Sequence, residues 1–251
     1  MPRIARNNLN GNFFHIVVQG LNKEYIFSEE KYIYKYRNIM FEKLKKVDIT
    51  ILGYCVMSNH VHILIFSEKI SEISKYMQLV NTTYSNFYNK QEKRVGYVFK
   101  DRFYSQEILN KKHLYNCLKY IHNNPVKSGI CKNMSEYLYS SYNEFLIKRY
   151  IITSKSIKLL FNNNDYIKSF YELHKCTYDE IEIFDVKEMD IETFIRKVEE
   201  ENQLKLENLK NNKVLLKRVI KDARKYTDVT LEELAQILGV SKSTIGNYNK
   251  K

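Results

Sequence analysis

The sequence is poor in residues that interrupt regular structure, and it contains no tryptophan. Its 251 residues include only 7 glycines and 2 prolines, so long flexible linkers are not expected. No apolar run approaches the ~20 residues of a membrane-spanning helix, and the first residues hold no apolar stretch, so we expect neither a membrane anchor nor a signal peptide. Cys55, Cys117, Cys131 and Cys176 form no C-x-x-C pair, which disfavours a disulfide framework or structural zinc and favours a reducing cytoplasm.

Charge is distributed unevenly along the chain, whose formal net charge is +12. Residues 1–150 hold 23 lysines and arginines against 12 acidic residues, residues 172–207 hold 5 against 12, and residues 208–251 hold 10 against 4. Two basic blocks therefore flank an acidic one. A field of one sign attracts the opposite polyelectrolyte, most commonly nucleic acid. An anionic membrane surface and a merely solvated lysine-rich surface are the alternatives.

The residue pattern predicts an α+β domain in the first half of the chain. β-branched and aromatic residues indicate strands at 13–19, 50–57, 60–66 and 103–108. Amphipathic spacing indicates helices at 28–46, 70–91 and 111–123. Pro125 should stop the third helix, because it disfavours helical backbone at Asn124. The order βαββαβα is typical of a ferredoxin-like fold with one antiparallel sheet, and we expect its helices on one face.

His60 and His62 stand at the start of the third predicted strand. Side chains alternate along a strand, so both imidazoles point to one face, roughly 7 Å apart along the strand. Two neutral imidazoles in this arrangement can share one divalent metal ion. A structural pair of histidines is the alternative interpretation.

Tyr120 and Asn124 are four residues apart, a spacing that puts two side chains on one helix face. A tyrosine one turn from an amide oxygen can bring a phenol and a third metal ligand into one site. The spacing alone favours an ordinary core tyrosine, since the chain has 21 tyrosines.

The segment YCVMSNHVH at 54–62 resembles the signature of single-tyrosine HUH transposases of the insertion-sequence-200-like kind, most closely the REP-associated tyrosine transposases. Further segments match in the same order: FHIV, Gly20 and IF within 14–27, RVGYVF and RFY within 94–104, YIHNNPVKSG at 120–129, and SSY at 140–142. The resemblance spans residues 8–148. Ser58 stands where relatives have proline, and Gln19 and Lys23 stand where arginines are usual.

The resemblance implies a role for each residue singled out above. His60 and His62 would bind the metal, and Asn124 would complete its ligand set. Tyr120 would be the nucleophile that cleaves single-stranded DNA, often beside a hairpin, leaving a 5′-phosphotyrosine and a free 3′-OH. Mixed nitrogen and oxygen ligands suit Mg²⁺ or Mn²⁺. Members of the family occur as monomers and as dimers, so a homodimer is an open alternative.

Basic side chains near these motifs are candidates for contacts with the DNA backbone. They are Arg94, Lys100, Arg102, Lys111, Lys112 and Lys127. The setting that these features predict is the bacterial cytoplasm, in association with the nucleoid and with no membrane partner.

The end of the chain predicts a second DNA-binding unit. The segment LAQILGVSKSTI at 234–245 resembles a common helix-turn-helix form, and Thr230 with Glu233 fits a capping box at its start. The second helix of such a unit enters the major groove of duplex DNA. The residues that would face DNA are Lys242, Ser243, Thr244 and Asn247. A small protein-interaction bundle without DNA contact is the alternative.

The sequence thus predicts a transposase domain at 8–148, an acidic helical connector at 149–207 and a helix-turn-helix module at 208–251. An active single-strand DNA transposase is the leading hypothesis, because a protein that only binds DNA has no need of the two histidines, Tyr120 and Asn124. A domesticated, non-cleaving, sequence-specific DNA-binding regulator is the second. An RNA-binding sheet is the third, and it would need exposed aromatic residues on its central strands.

Overall fold

The computed structural model describes residues 11–147, 150–161, 165–175 and 191–249, except positions 204, 206–207, 209–211, 228 and 230. The chain forms two compact units, Met1–Phe184 and Asp185–Lys251. Each unit has its own hydrophobic core. Within the described ranges, no helix is both long enough and apolar enough to cross a bilayer.

A four-stranded antiparallel sheet forms the centre of the first unit. Its strands are β1 (Phe13–Gln19), β2 (Thr50–Val56), β3 (His60–Phe66) and β4 (Tyr104–Glu107), in the order β2-β3-β1-β4. The pairing of β1 with β3 places Val17 opposite His62. Both histidines of the HxH motif therefore lie on an inner strand, and the predicted α+β arrangement is confirmed.

Helices cover both faces of this sheet. The longer ones are α1 (Glu30–Leu44), α2 (Ile70–Gln91) and α3 (Lys111–Lys127). Arg37 of α1 reaches Tyr54 on one face of β2. On the other face α3 comes so close to Gly53 that a Cβ there would stand 2.5 Å from Leu118 Cδ1. The expectation of helices on one face is wrong, because α3 buries the face that carries the histidines.

The third helix extends beyond its predicted end at Asn123. It runs through Pro125 to its last residue, Lys127. Pro125 has no N–H to donate to the carbonyl of Ile121, so the helix continues at the cost of one intrahelical hydrogen bond. Asn124 is 1% exposed, and this burial outweighs the bias of a pre-proline residue away from helix. As a result Asn124 stays one helical turn from Tyr120.

Three shorter α-helices of the first unit also lie within its described residues. They are α4 (Tyr142–Leu146), α5 (Ser154–Leu160) and α6 (Tyr166–Lys175). Ile157 and Phe170 of these helices join the core of the sheet domain. The next helix, α7 (Ile191–Asn202), packs in the second unit. The connector predicted at 149–207 is therefore divided between the two units, because its apolar side chains are buried in both.

The described residues of the second unit form only helices and their connections, in agreement with the predicted helical module. Besides α7 it contains α8 (Lys213–Tyr226), α9 (Leu231–Leu238) and α10 (Lys242–Asn249). Its core includes Ile220 of α8, Leu234 of α9 and Ile245 of α10. Gly239 adopts φ +62° between α9 and α10, a left-handed conformation that glycine adopts without steric cost.

A buried carboxylate ties α4 to α1 and β2. Glu144 Oε1 accepts from Arg37 Nη2 at 3.3 Å and from the Tyr54 hydroxyl. Glu144 Oε2 accepts from the backbone N–H groups of Ile151 and Ile152 at 2.8 and 2.9 Å. Burial, and then the charge of Glu144, raise the pKa of Tyr54 well above its ordinary value, so its phenol stays protonated and donates. The charge is tolerated at this depth because several donors surround it.

Glu144→Ala should lower the free energy of unfolding by about 3–5 kcal/mol, because it leaves Arg37 largely buried without its counter-charge. Asp48→Asn is the control. Asp48 pairs with Lys155 at 3.9 Å on the surface, so its loss should cost less than about 0.5 kcal/mol. Urea unfolding followed by near-UV circular dichroism, which reports ordered tyrosines, measures both. Equally small effects would show that the Glu144 network contributes no stability.

Candidate active site

His62 is the centre of a line of buried polar side chains between the sheet and α3. His62 Nδ1 lies 3.0 Å from His15 Nε2 on β1. On its other side, His62 Nε2 lies 3.1 Å from Asn124 Nδ2 on α3. The three side chains are 0%, 0% and 1% exposed. One hydrogen-bonded line thus joins β1, β3 and α3.

The environment of His62 decides its charge and its tautomer. Burial lowers the pKa of His62 well below its ordinary value, and the neighbouring His60, His15 and Lys127 lower it further. The ring is therefore neutral. With the Asn124 NH₂ group donating to Nε2, the ring proton resides on Nδ1 and is donated to His15.

The tautomer of His60 follows from the orientation of Asn59. Asn59 Nδ2 donates to the backbone carbonyl of Lys23 at 3.4 Å, and a carbonyl can only accept. Asn59 Oδ1 therefore faces His60 Nδ1, at 2.7 Å, and accepts a proton from it. The lone pair of His60 is left on Nε2, as in His62. The two rings lie nearly perpendicular, with centroids 4.8 Å apart.

Tyr120 packs edge-on against the histidines from α3. Its ring centroid lies 5.4 Å from that of His62 and 6.2 Å from that of His15. Lys127 Nζ lies 5.4 Å from the centre of the Tyr120 ring, so a positive charge stands beside the phenol. The structure brings the predicted nucleophile together with two predicted metal ligands, His62 and Asn124, and with one predicted DNA contact.

The donor set of this site fits a divalent cation. Asn124 Oδ1 is buried and has no hydrogen-bond partner within the described residues. No three His, Cys, Asp or Glu side chains among those residues are grouped as metal ligands, so the asparagine amide would have to supply the third protein ligand beside His60 and His62. Asn124 Nδ2, not Oδ1, lies 3.1 Å from His62 Nε2, so the amide would have to rotate to present Oδ1 to an ion that His62 binds through Nε2.

A second histidine pair lies on a different side of α3 and has a structural environment. His122 Nε2 lies 2.7 Å from Ser141 Oγ, and His122 Nδ1 lies 2.9 Å from His174 Nε2 on α6. Burial lowers the pKa of His122 well below its ordinary value and that of His174 to about 4. The pair packs against Phe170 and holds α6 against α3.

The residues predicted to contact DNA differ in their exposure and in their partners within the protein. The exposed ones are Lys100, Arg102, Lys111, Lys112, Lys127, Lys242 and Ser243, while Thr244 is half-buried and the side chain of Asn247 lies outside the described residues. Lys242 forms an ion pair with Glu232. Arg94 has partners within the protein, Glu24 at 2.6 Å and the carbonyl of Tyr97 at 3.2 Å.

Two residues of the site have no role in the sequence analysis, His15 and Asn59. His15 is a polar residue within the apolar run FFHIVVQ, and a histidine in such a run is the signal that could have identified it. Asn59 reads as a turn residue before β3, because nothing in the sequence shows that the carbonyl of Lys23 would orient its amide toward His60.

Acid should destabilise the first unit through its neutral histidines. His174 has a pKa of about 4 when folded and about 6.5 when unfolded. The unfolded state therefore takes up the proton first, so stability is complete above pH 6.5 and falls as the pH drops toward about 4. The expected loss between pH 6.5 and 5.5 is about 1 kcal/mol for this residue alone.

Urea unfolding at pH 7.5, 6.5 and 5.5 measures how far the free energy of unfolding falls with pH. In the His174→Gln variant the fall between pH 6.5 and 5.5 should be smaller by about 1 kcal/mol. The comparison is of slopes with pH, so a constant change in stability caused by the substitution does not matter. An identical pH dependence in both proteins would mean that His174 titrates normally in the folded state.

Known proteins share this domain. Residues 9–124 match the family model described as Transposase IS200 like. A Haemophilus influenzae protein provisionally named REP-associated tyrosine transposase is 26% identical over 140 residues, which cover 52% of this chain and 78% of that protein. The solved structure of a REP-associated tyrosine transposase bound to a REP hairpin has the same fold, with a TM-score of 0.50 and 18% identity over 60% of this chain and 88% of that one. Residues 9–124, the part of the chain that is similar to the IS200-like transposase family, hold the predicted nucleophile and all three predicted metal ligands.

Proposed function

We propose that this protein is a metal-dependent transposase that cleaves and rejoins single-stranded DNA beside hairpins through Tyr120. The observation that carries the proposal is the contact of His62 on β3 with two side chains of α3, the ring of Tyr120 and the amide of Asn124. The names of its relatives support a transposase, and the REP hairpin in the related structure supports hairpin DNA as the substrate class.

Tyr120 would act as the covalent nucleophile. Its phenolic oxygen would form a bond to the scissile phosphorus while the bond from phosphorus to the 3′ oxygen breaks, and that oxygen would leave as a free 3′-OH. A phenol is a weak nucleophile at neutral pH because it is almost fully protonated. The Lys127 ammonium beside the Tyr120 ring would offset negative charge on the phosphate. Because the phosphotyrosine conserves the phosphodiester bond energy, another 3′-OH can reverse the step and join strands.

His60 and His62, through Nε2, and Asn124, through Oδ1, would hold a Mg²⁺ or Mn²⁺ ion. Such an ion, when bound, would polarise the scissile phosphate as a Lewis acid. Asn59 and His15 would accept the Nδ1 protons of the two histidines. Outer partners of this kind fix the tautomer and ring orientation of ligating histidines. His15 and Asn59 would therefore be positioning residues for the two ligands.

The other two hypotheses fit the structure less well. An RNA-binding sheet needs exposed aromatic residues on its central strands, whereas β1 and β3 are buried between helices on both faces. A regulator that only binds DNA gives no reason for the buried Asn124 Oδ1, which has no hydrogen-bond partner among the described residues, beside His62. Since such an acceptor costs free energy unless something binds it, the arrangement favours an active enzyme.

Tyr120→Phe should abolish the covalent protein–DNA adduct and leave hairpin binding nearly unchanged, because only the hydroxyl is lost. A hairpin oligonucleotide labelled at its 3′ end, incubated with Mn²⁺ and run on a denaturing gel, detects the adduct. Tyr115→Phe is the matched control on the same helix, since its hydroxyl only donates to the Leu160 carbonyl. An adduct that survives in the Tyr120 variant would assign the nucleophile to another tyrosine.

His62→Ala and Asn124→Ala should each weaken Mn²⁺ binding at least tenfold in the absence of DNA. His15→Phe should weaken it by roughly 10- to 100-fold, the usual effect of losing an outer partner. Electron paramagnetic resonance of free Mn²⁺ measures the affinity independently of cleavage. His174→Gln, a change in the structural histidine pair, is the control and should bind Mn²⁺ as the parent does. Equal affinities throughout would refute the metal site.

The second unit would hold duplex DNA next to the hairpin. Exposed Lys242 and Ser243 at the start of α10, after the turn at Gly239, support this role. Joining two weak DNA sites in one chain raises avidity without new contacts.

The double substitution of Lys242→Ala with Ser243→Ala should weaken binding to a hairpin that carries a duplex flank, and it should leave a short hairpin unaffected. For the flanked hairpin, the affinity of the variant should also fall less steeply with salt concentration than that of the parent, because fewer phosphates are neutralised. Fluorescence anisotropy over a salt series tests both effects. The same affinity ratio on the two substrates would assign this unit to protein contacts.

A further inference from the structure

Two strongly exposed tyrosines stand near the proposed cleavage site. Tyr97 is 83% exposed and Tyr25 is 65% exposed, more than the 45% of Tyr34 or the 44% of Tyr171. Single exposed apolar side chains are common on protein surfaces and need no explanation. Tyr25 and Tyr97 differ from scattered surface tyrosines in where they lie and in the contacts that hold their loops.

The loops that carry the two tyrosines are joined to each other. Tyr25 lies in the segment 20–29 after β1, and Tyr97 lies in the segment 92–103 before β4. The N–H of Leu21 donates to the carbonyl of Val98 at 2.9 Å. A further bridge pairs Gly20 with Phe99. The two loops thus form one surface at the end of β1.

The first of these loops also contacts the residues that precede His60. The N–H of Phe27 donates to the carbonyl of Ser58 at 2.8 Å. The Asn59 side chain joins the carbonyl of Lys23 to the ring of His60. The tyrosine loops are therefore fixed against the start of β3, where the first proposed metal ligand lies.

Arg94 fixes the two loops relative to one another. Its Nη1 lies 2.6 Å from a carboxylate oxygen of Glu24, the neighbour of Tyr25, and its Nη2 donates to the carbonyl of Tyr97 at 3.2 Å. A guanidinium with several fixed donors is suited to bridging two such groups. Besides its predicted contact with DNA, Arg94 therefore holds the backbone of Tyr97 and the neighbour of Tyr25 in place.

We propose that Tyr25 and Tyr97 form a stacking platform for unpaired nucleobases next to the phosphodiester that Tyr120 attacks, an inference that rests on the proposed function. Aromatic side chains bind bases of any sequence through their faces. Exposed Lys93 and Lys100 lie in the same loop as Tyr97, and their charge complements a DNA backbone. The platform would hold the single strand, and the metal site would act on it.

The test compares two hairpin oligonucleotides, one with unpaired nucleotides on both sides of its base and one blunt. Tyr25→Ala and Tyr97→Ala should each weaken binding of the flanked hairpin by roughly 5- to 150-fold, the ratio for ~1–3 kcal/mol of base–aromatic stacking. The blunt hairpin should bind as before. Tyr25→Phe and Tyr97→Phe should restore affinity, since they keep the ring. Tyr171→Ala, an exposed tyrosine on α6, is the control and should change nothing.

A 2-aminopurine placed in the unpaired flank gives a second readout, because its fluorescence is quenched on stacking and the alanine variants should lose that quenching. Unchanged affinity for the flanked hairpin would overturn the platform even where the parent forms the Tyr120 adduct. Equal losses on both hairpins would also overturn it, since the tyrosines would then contact duplex. A parent that forms no adduct but loses flank binding in the alanine variants would instead overturn the proposed function and leave the platform standing.

Discussion

The first unit depends on burying His15, His62 and Asn124 beneath α3 with hydrogen bonds between them. Polar side chains at this depth cost free energy unless they are paired. Here each finds a partner in the next, so the line from β1 through β3 fixes the place of α3 across the sheet. Tyr120 is one turn from Asn124 on that helix, and its position beside the histidines follows from the same line.

The local elements were predictable from sequence because their side-chain patterns are determined by the face they bury. β3 and α2 begin and end where alternation and helical spacing place them. The end of α3 was not predictable, since the local effect of Pro125 is outweighed by burial of Asn124 against a strand 60 residues earlier in the chain. The burial of Asn124 depends on tertiary packing, which cannot be inferred from the neighbouring residues in the sequence.

The candidate site also combines residues that were predictable from sequence with residues that were not. Tyr120, Asn124 and the two histidines follow from spacing together with resemblance, because their chemistry is carried by short motifs. His15 depends on which strand lies beside β3 and in what register, and that information is not local. The ion pair of Arg94 with Glu24 was not predictable either, because the order of cations along a chain does not say which of them lie beside an acidic side chain in the fold.

Through Gly53, the candidate site depends on β2, a strand that contributes none of the proposed catalytic groups. Because position 53 has no side chain, Leu118 of α3 packs directly against the backbone of β2. A side chain at position 53 would meet the end of the Leu118 side chain, so Leu118 would have to move from its place between α3 and β2. Position 53 is thus constrained by packing although it carries no functional group, because a side chain there would disturb the contact between β2 and the helix that carries Tyr120 and Asn124.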